Sequence, residues 1–232
     1  MTSTDKYLCN CGLGSRTDVK HILKKKKVLI NDIIVVDPGF QVTETDIVCI
    51  DGEILKYNEF HYYILNKPSG VVTAREDNYS KTVMDLLDLK YKDLSPVGRL
   101  DKDTEGLLLI TDNGKLAHNM LSPKKHVNKT YLVHLEKDID DCHINILENG
   151  VDIKEDKLTL PAKVKRIDSN KIELTIHEGK YHQVKRMMEA VDNHVIFLKR
   201  LVFGPLKLDE NLLLGQYREL SSDEMKLLNE YM

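Results

Sequence analysis

Residues 96 to 114 read Pro96-Val97-Gly98-Arg99-Leu100-Asp101-Lys102-Asp103-Thr104-Glu105-Gly106-Leu107-Leu108-Leu109-Ile110-Thr111-Asp112-Asn113-Gly114. The apolar run from Leu107 to Ile110 has the length and composition of a buried β-strand. Asp112-Asn113-Gly114 after it predicts a turn, because these residues tolerate a positive φ. A loop with Arg99 and Asp101 precedes the strand, and charged side chains beside a core strand need partners. The alternative for a single aspartate is an ordinary solvent-exposed loop residue.

Length and composition limit the protein to a few classes. Its 232 residues suffice for one large domain or for a small domain and a medium one. The hydrophobic content of 41% and the charged content of 31% are those of an ordinary globular protein. No apolar run is long enough to cross a membrane, and the N-terminus lacks the apolar segment of a signal peptide. We therefore expect a cytoplasmic protein with no membrane partner.

The sequence shows no pattern for a bound metal or cofactor. Its four cysteines (Cys9, Cys11, Cys49 and Cys142) are not spaced as a set of zinc ligands or as a disulfide framework. Neither a glycine-rich dinucleotide loop nor a phosphate-binding loop is present. We therefore predict no metal site and no cofactor.

Basic residues are concentrated in two regions, although the formal net charge of the chain is −3. Residues 6 to 27 contain seven Lys or Arg against one acidic residue, and residues 161 to 207 contain ten against five. The tail from residue 209 has six acidic residues against two basic ones. Local basic surfaces of this kind are compatible with an RNA partner.

The first 55 residues predict two short helices followed by a twisted hairpin. Ser15 has the features of an N-cap for the second helix, with Asp18 three residues later as its capping partner. Asn31-Asp32 lies between two β-branched runs and predicts a two-residue hairpin turn.

This arrangement, with its glycine-rich turn between the helices, resembles the RNA-binding module of the ribosomal protein S-four type over roughly residues 4 to 55. The resemblance implies that Arg16, Lys24 and Lys25 contact RNA phosphates, which would supply affinity that does not depend on the RNA sequence. The alternative for the run from Lys24 to Lys27 is a solvated helix end, where cations also suit the helix dipole.

We divide the chain into domains of residues 1–56 and 57–232, because residues 56–59 are polar and have the character of a linker. The second domain has many strands, few helices and no repeating β-α-β order. This pattern predicts an α+β fold with a mixed, largely antiparallel central sheet flanked by helices. Predicted strands cover residues 61–65, 107–110, 130–135, 158–166, 171–177, 193–201 and 215–220. Predicted helices cover residues 82–87, 114–121, 142–149 and 221–232, and another helix opens after the glycine turn at 179.

Four motifs of the second domain resemble those of pseudouridine synthases, specifically the Rsu type that acts on ribosomal RNA. They are Asn66-Lys67-Pro68-Ser69-Gly70, Gly98-Arg99-Leu100-Asp101, Lys129-Thr130-Tyr131 and His182-Gln183-Val184-Lys185-Arg186-Met187. The resemblance implies that Asp101 is the catalytic residue, that Lys185 lies beside it, and that Tyr131 lies against the target uracil. The role that it implies for the first motif is mostly architectural.

Other basic residues near these motifs are candidates for RNA binding: Arg99, Lys124, Lys129 and Arg186. Arg99 is long enough to fill the space left by a flipped base or to hold a phosphate. Alternatively, Arg99 forms an ion pair with Asp103 or Glu105. The alternative for Tyr131 is an aromatic residue in the strand core, and the alternative for Lys185 and Arg186 is a solvated helix surface.

The reaction implied by the resemblance breaks the bond from the anomeric carbon to the base nitrogen and re-attaches the base through a ring carbon. This isomerisation requires no redox cofactor, metal or nucleotide. It does require a carboxylate beside the sugar, as a nucleophile, a base or both. Asp101 fits that requirement, and a cation at Lys185 would favour its charged form.

Three segments resemble the synthase of the small ribosomal subunit more than those of the large subunit: residues 122–126, the predicted strand start at Leu160-Pro161-Ala162, and residues 215–220. We therefore expect a monomer that modifies one uridine of 16S RNA in an assembling small subunit. One alternative is a 23S RNA synthase of the same family, and another is a non-catalytic assembly factor on this scaffold. A hydrolase that uses Asp101 with His182 fits less well, because it leaves the basic N-terminal module without a purpose.

Overall fold

The computed structural model describes residues 1–25, 28–89 and 93–232. It contains two compact units, one formed by residues 1–61 with the described part of 88–94, and one formed by residues 62–87 with 95–232. Tyr57 belongs to the first unit, where its ring stacks on that of Tyr7 with the ring centroids 4.7 Å apart. The division after residue 56 stays a prediction. No helix within the described residues is long and apolar enough to cross a membrane.

The first unit combines two helices with two small sheets. In the part of this unit that the structure describes, the helices are α1 (Thr4–Asn10) and α2 (Arg16–Lys25), and the strands are β1 (Thr2–Ser3), β2 (Val28–Ile30), β3 (Ile33–Ile34), β4 (Gln41–Val42), β5 (Val48–Ile50) and β6 (Glu53–Ile54). The strand order is β3-β2-β5-β6 in one sheet and β1-β4 in the other. Leu8 from α1 and Val19 and Leu23 from α2 are buried in the same core as the inward-facing residues of β2 and β5.

Two local predictions for this unit are confirmed. The backbone amide of Asp18 donates to Ser15 Oγ (3.3 Å), and the backbone amide of Ser15 donates to Asp18 Oδ2 (2.9 Å), so Ser15 caps α2. Asn31 and Asp32 have φ values of 50° and 64° and join β2 to β3 in a hairpin. Of the lysine run into which the second helix was expected to lead, Lys24 and Lys25 form the last turn of α2, and Lys26 and Lys27 lie outside the described residues.

The second unit is built on one large mixed sheet, so the predicted α+β class is confirmed. Its described strands are β7 (Tyr62–Lys67), β8 (Ser95–Pro96), β9 (Glu105–Thr111), β10 (Lys129–Leu135), β11 (Lys163–Asp168), β12 (Lys171–Ile176), β13 (Val195–Phe203), β14 (Leu206–Lys207) and β15 (Tyr217–Glu219). The order is β11-β12-β10-β13-β9-β7-β15, with β14 paired to β13 and β8 paired to β9. The β13–β9 pair is parallel, and the other pairs described in this sheet are antiparallel.

Strand β9 is central, and the apolar run that predicted it is fully buried. Leu107 and Leu109 point to one face, where they pack with residues of α3 (Gly114–Leu121) and of the C-terminal segment. The other described helices of this unit are α4 (Asp141–Asn149), α5 (Gln183–Glu189) and α6 (Ser222–Leu227). Gly106 has a φ of 104°, and a Cβ atom there would lie 2.3 Å from the carbonyl oxygen of Arg200. Only glycine allows β13 to approach β9 this closely.

Several element boundaries differ from the prediction. The strand predicted from residue 158 begins at Lys163, because the amide of Leu160 donates to the Glu178 side chain and Pro161 has no amide hydrogen to donate. The helix predicted over 82–87 is a single 3₁₀ turn, Met84–Leu86, and the closing helix ends at Leu227 before a 3₁₀ turn over Asn229–Tyr231. Asn113 does not form a turn with positive φ. It caps α3, accepting a hydrogen bond from the amide of Leu116 (3.0 Å).

Candidate active site

The Asp101 loop, which we define as residues 97–104, connects β8 to β9. These strands form a hairpin in which Pro96 pairs with Ile110, so both ends of the loop are fixed to the sheet. Leu100 is buried, whereas the Asp101 side chain next to it is 28% exposed. A carboxylate at this partly exposed position can be reached by a ligand and still sits on a rigid support.

Lys67, at the end of β7, anchors the backbone of this loop from the protein interior. Its side chain is fully buried, and its ammonium group donates to the backbone carbonyls of Asp101 (3.0 Å), Thr104 (2.8 Å), Lys102 (3.2 Å) and Pro68 (3.1 Å). Burial lowers the pKa of Lys67 to about 8, against the opposing effect of nearby acidic side chains. Lys67 therefore fixes the backbone of the Asp101 loop and does not project toward a substrate.

Two further contacts tie the loop to the segment after β7. The hydroxyl of Thr73 donates to the carbonyl of Leu100 (2.8 Å) and accepts from the amide of Leu100 (3.2 Å). The amide of Gly70 donates to the carbonyl of Lys102 (2.8 Å). The Asn66-Lys67-Pro68-Ser69-Gly70 motif thus acts architecturally through Lys67 and Gly70, on the backbone that carries Asp101.

Lys185 reaches the same loop from α5. Its Nζ lies 3.4 Å from Asp101 Oδ2 and closer to Asp103, at 2.7 Å from Oδ1 and 2.8 Å from Oδ2. Burial alone would lower the pKa of Lys185, but the hydrogen bond to Asp103 and the charges of both aspartates raise it above its ordinary value. The hydrogen bond from Lys185 lowers the pKa of Asp103. Lys185 is therefore a fixed positive charge shared by two carboxylates.

His182 contacts Asp101 from the other side, although the sequence pointed to it only in the hydrolase alternative. Its Nε2 lies 3.6 Å from Asp101 Oδ1. His182 precedes α5 with φ 48° and ψ 35°, a left-handed conformation that is uncommon for a residue other than glycine. Its ring stacks on that of Tyr181, with the centroids 3.9 Å apart.

Tyr131 lies on β10, beside Arg200 on β13, which in turn pairs with Gly106 on β9. Two strand spacings therefore separate Tyr131 from the strand that follows the Asp101 loop, roughly 10 Å. Tyr131 is 8% exposed, and Arg200 is completely buried with its Nε donating to the carbonyl of Leu107 (2.8 Å). Burial lowers the pKa of Arg200, while its interaction with Tyr131 raises it. Arg200 was not predicted, because a guanidinium buried in a strand has no signature in the sequence.

Three side chains within the described residues have ligand atoms close enough to share a metal ion, Asp140, Cys142 and His143, whose ligand atoms lie within 4.8 Å of one another. Asp140 is already used as the N-cap of α4, since it accepts from the amide of His143 (3.0 Å). This group is explained by helix capping.

Comparison with known proteins agrees with this geometry. The family described as RNA pseudouridylate synthase matches residues 61–190, and the S4 domain matches residues 5–48. The chain belongs to the RNA pseudouridylate synthase family. It is therefore an enzyme, an isomerase, with an S4 domain at its N-terminus.

Relatives of this family match nearly the whole chain. An uncharacterized RNA pseudouridine synthase of Bacillus subtilis is 49% identical, covering 97% of this chain and 98% of that protein. Ribosomal small subunit pseudouridine synthase A of Vibrio cholerae is 40% identical over 95% of this chain and 96% of that protein. A crystal structure of a pseudouridylate synthase superposes with a TM-score of 0.70 at 36% identity, covering 98% of this chain and all of that one.

The remaining residues expected to contact substrate in this pseudouridine synthase occupy different environments. Arg99 is exposed and forms no ion pair within residues 1–25, 28–89 and 93–232, so the structure contains neither of the two predicted pairs. Lys124 is exposed in a 3₁₀ turn that follows Leu121, whose side chain lies against Gly98 at the start of the Asp101 loop. Both Arg99 and Lys124 are thus available to a ligand.

Lys129 and Arg186 are held by protein groups. Lys129 donates to the carbonyl of Val127 (3.0 Å) and lies 5.7 Å from the centroid of the Phe203 ring. Burial and the charge of Arg200 lower the pKa of Lys129 to about 8. The Arg186 guanidinium pairs with Glu155 (2.7 Å) and also donates to the carbonyls of Tyr181 and Ile153. RNA contacts by these two residues stay a prediction.

In the first unit, Lys24 and Lys25 are exposed at the end of α2. Arg16 at its start is also exposed and lies 3.9 Å from Asp5. These three residues lie on one helix of the S4 domain, and their contact with RNA stays a prediction that is part of the proposal below.

Proposed function

We propose that this pseudouridine synthase converts one uridine of 16S ribosomal RNA to pseudouridine in an assembling small subunit, as a monomer in the cytoplasm. The observation that carries the proposal is the partly exposed Asp101 carboxylate, which has Lys185 within 3.4 Å and a loop backbone anchored on buried Lys67. The full-length similarity to proteins named ribosomal small subunit pseudouridine synthase A supports 16S RNA as the substrate.

In the proposed reaction, the bond from the anomeric carbon to N1 of uracil breaks and a bond from the same carbon to C5 forms. The hydrogen lost from C5 is balanced by the hydrogen gained at N1, so no atom enters or leaves. Asp101 supplies the carboxylate that this step needs beside the sugar. Lys185 stabilises the charged form of that carboxylate, and Asp103 orients the Lys185 ammonium group through its two shorter contacts.

The target base has to leave its stack before Asp101 can reach it. Tyr131 is the aromatic residue assigned to the flipped uracil, and its buried neighbour Arg200 limits how far the Tyr131 side chain can move. Arg99 is exposed two residues before Asp101, and its side chain is long enough to fill the vacated space or to hold a phosphate. Lys124, in the turn after Leu121, is another exposed cation near the start of the same loop.

The S4 domain supplies general affinity in this proposal. Arg16, Lys24 and Lys25 neutralise phosphates, which releases counterions and makes binding depend on salt. The three segments that resemble the small-subunit synthase give weaker support for 16S RNA as the substrate. One of them, Leu160-Pro161-Ala162, is not a strand start in the structure. The choice of 16S RNA therefore rests mainly on the relatives.

One assay tests the proposal directly. Unmodified 16S RNA, assembling small-subunit particles and 23S RNA are incubated in parallel with the protein, and pseudouridines are mapped by carbodiimide treatment and reverse transcription. We expect one new site in 16S RNA, formed best in the particles, and none with the Asp101→Asn protein. Modification confined to 23S RNA would show that the substrate is 23S RNA instead of 16S RNA, while the proposed reaction would stand. Absence of pseudouridine in every RNA would refute the proposed function.

A further inference from the structure

Two tyrosines stand out by their exposure. Among the aromatic side chains that the structure describes, Tyr79 (96%) and Tyr181 (75%) are the most exposed, ahead of Phe40 (44%) in the first unit. Both belong to the second unit, and both lie in segments that contact the Asp101 loop. Large aromatic rings left in water on segments that contact the Asp101 loop indicate a ligand that covers them.

Tyr181 is held rigidly next to the carboxylate. Its ring stacks on His182, whose Nε2 is 3.6 Å from Asp101 Oδ1, so the two rings form a continuous stack from solvent to the carboxylate. The backbone around it is fixed because Arg186 donates to the carbonyl of Tyr181 (3.1 Å) and Gln183 accepts from the amide of Lys180 (3.0 Å).

Tyr79 lies at the tip of a turn on the other segment. Asp77 Oδ1 accepts from the amides of Tyr79 (2.9 Å) and Ser80 (2.7 Å), which fixes the turn. The Lys102 ammonium group donates to Ser80 Oγ (3.2 Å), which joins this turn to the residue after Asp101. The Tyr79 ring itself is almost completely exposed.

We propose that Tyr79 and Tyr181 are stacking platforms for the RNA bases that flank the target nucleotide. This inference rests on the proposed function, in which a uridine leaves its stack to reach Asp101. Flipping one base deprives its neighbours of a stacking partner, and an exposed aromatic ring can replace it. Because hydrogen bonds already fix the backbone at Tyr79 and at Tyr181, the protein loses little conformational freedom when a base is bound.

Fluorescence tests the contact independently of catalysis. The chain contains no tryptophan, so Tyr181→Trp and Tyr79→Trp each introduce a single indole. The control is Leu213→Trp, at a side chain that is 66% exposed in the same unit. Each protein is titrated with 16S RNA and with a single-stranded uridine decamer, and binding is measured separately by filter retention. We expect RNA to quench the indoles at 181 and 79 and to leave the control indole unchanged.

Kinetics provide the second test. Tyr181→Ala should raise KM by roughly 5- to 150-fold, the range found for removal of one aromatic–base stack, with a smaller change in kcat. Tyr181→Phe keeps the ring and should behave like the wild type. Once the modified uridine is mapped, an abasic nucleotide on the stacked side should weaken the wild type and have no further effect on Tyr181→Ala.

The outcomes separate this inference from the proposed function. If RNA is bound and modified while neither indole is quenched, or if Tyr181→Phe and Tyr181→Ala are equally impaired, the stacking role is wrong and the synthase function stands. If the tyrosine variants weaken binding but no RNA is modified, the synthase function fails and the RNA contact stands. If the wild type binds neither RNA, both are overturned.

Discussion

Lysines carry the same charge at the end of α2 and beneath the Asp101 loop, but their surroundings differ completely. Lys24 and Lys25 are exposed, and within the described residues neither forms an ion pair. Lys67 is fully buried, and its ammonium group is surrounded by backbone carbonyls. A lysine in water can only add screened, general attraction for phosphates, whereas a buried lysine fixes the geometry of the groups around it. We therefore expect the exposed lysines to affect RNA affinity and the buried lysine to affect catalysis.

The largest effect is expected at the carboxylate that the buried lysine positions. Asp101→Asn preserves the shape of the side chain but removes its charge and its ability to act as a nucleophile or base. We expect turnover to fall by at least about 10³-fold, with RNA affinity and thermal unfolding close to those of the wild type. Single-turnover pseudouridine formation on mapped RNA is the measurement. Substantial activity in the pure, folded variant would remove Asp101 from the mechanism.

The second effect concerns Lys67. Lys67→Met retains the buried apolar stem but removes a donor from four backbone carbonyls, of which those of Asp101 and Lys102 keep an amide donor. Each of the other two that stays unsatisfied costs about 1–3 kcal/mol. We expect the free energy of unfolding to fall by about 2–5 kcal/mol and turnover to be strongly reduced, because the Asp101 backbone is released. Chemical denaturation and single-turnover kinetics measure the two quantities.

The matched control for Lys67 is Lys165→Met, at a lysine that is 69% exposed and lies 3.5 Å from Glu173 on the same sheet. This substitution should change the unfolding free energy by less than about 1 kcal/mol. If both variants behaved alike, burial of Lys67 would not be what distinguishes it from the exposed lysines.

Lys185 is intermediate between the exposed lysines and the buried Lys67, since it is partly buried and contacts two carboxylates. Lys185→Met should lower kcat by about 10²-fold, as expected for loss of one electrostatic partner in an active site, and should change RNA affinity much less. Asp103→Asn removes the group that orients Lys185 and should lower kcat by less than ten-fold. Parallel measurement of kcat and of RNA binding checks both. A larger loss in Asp103→Asn than in Lys185→Met would show that Asp103, rather than Lys185, supports the reaction.

The same lysines show which parts of the site can be predicted from the sequence and which cannot. The proximity of Asp101 and Lys185 was predicted, because each lies in a motif that could be compared with a known family. The task of Lys67 could not be predicted, because three of its four partners lie 34 to 37 residues away along the chain and all four are backbone carbonyls. Its motif alone does not show that the side chain points inward.

Two errors in the predicted fold have different causes. Asparagine and glycine favour a turn at residues 112–114, whereas the following helix uses the Asn113 side chain as its N-cap. Residues 158–162 have the composition of a strand, but Leu160 donates to a glutamate side chain and Pro161 has no donor to offer a sheet. The cap at Asn113 joins residues three apart, whereas the contact of Leu160 spans 18 residues, so only the second lies outside the local sequence pattern.

The smallest effect is expected at the exposed lysines of the S4 domain. Lys24→Ala combined with Lys25→Ala should weaken RNA binding roughly ten-fold at moderate salt, because each lost phosphate contact reduces the slope of log affinity against log salt by about 0.7–0.9. Turnover of bound RNA should not change.

Lys163→Ala with Lys165→Ala removes the same charge from exposed positions of β11 and is the matched control. Binding isotherms at four salt concentrations measure both slopes. Equal reductions in the two double variants would mean that RNA responds to net charge alone. A reduced slope confined to the first pair would show that the end of α2 contacts phosphate, since screening by salt acts on both pairs in the same way.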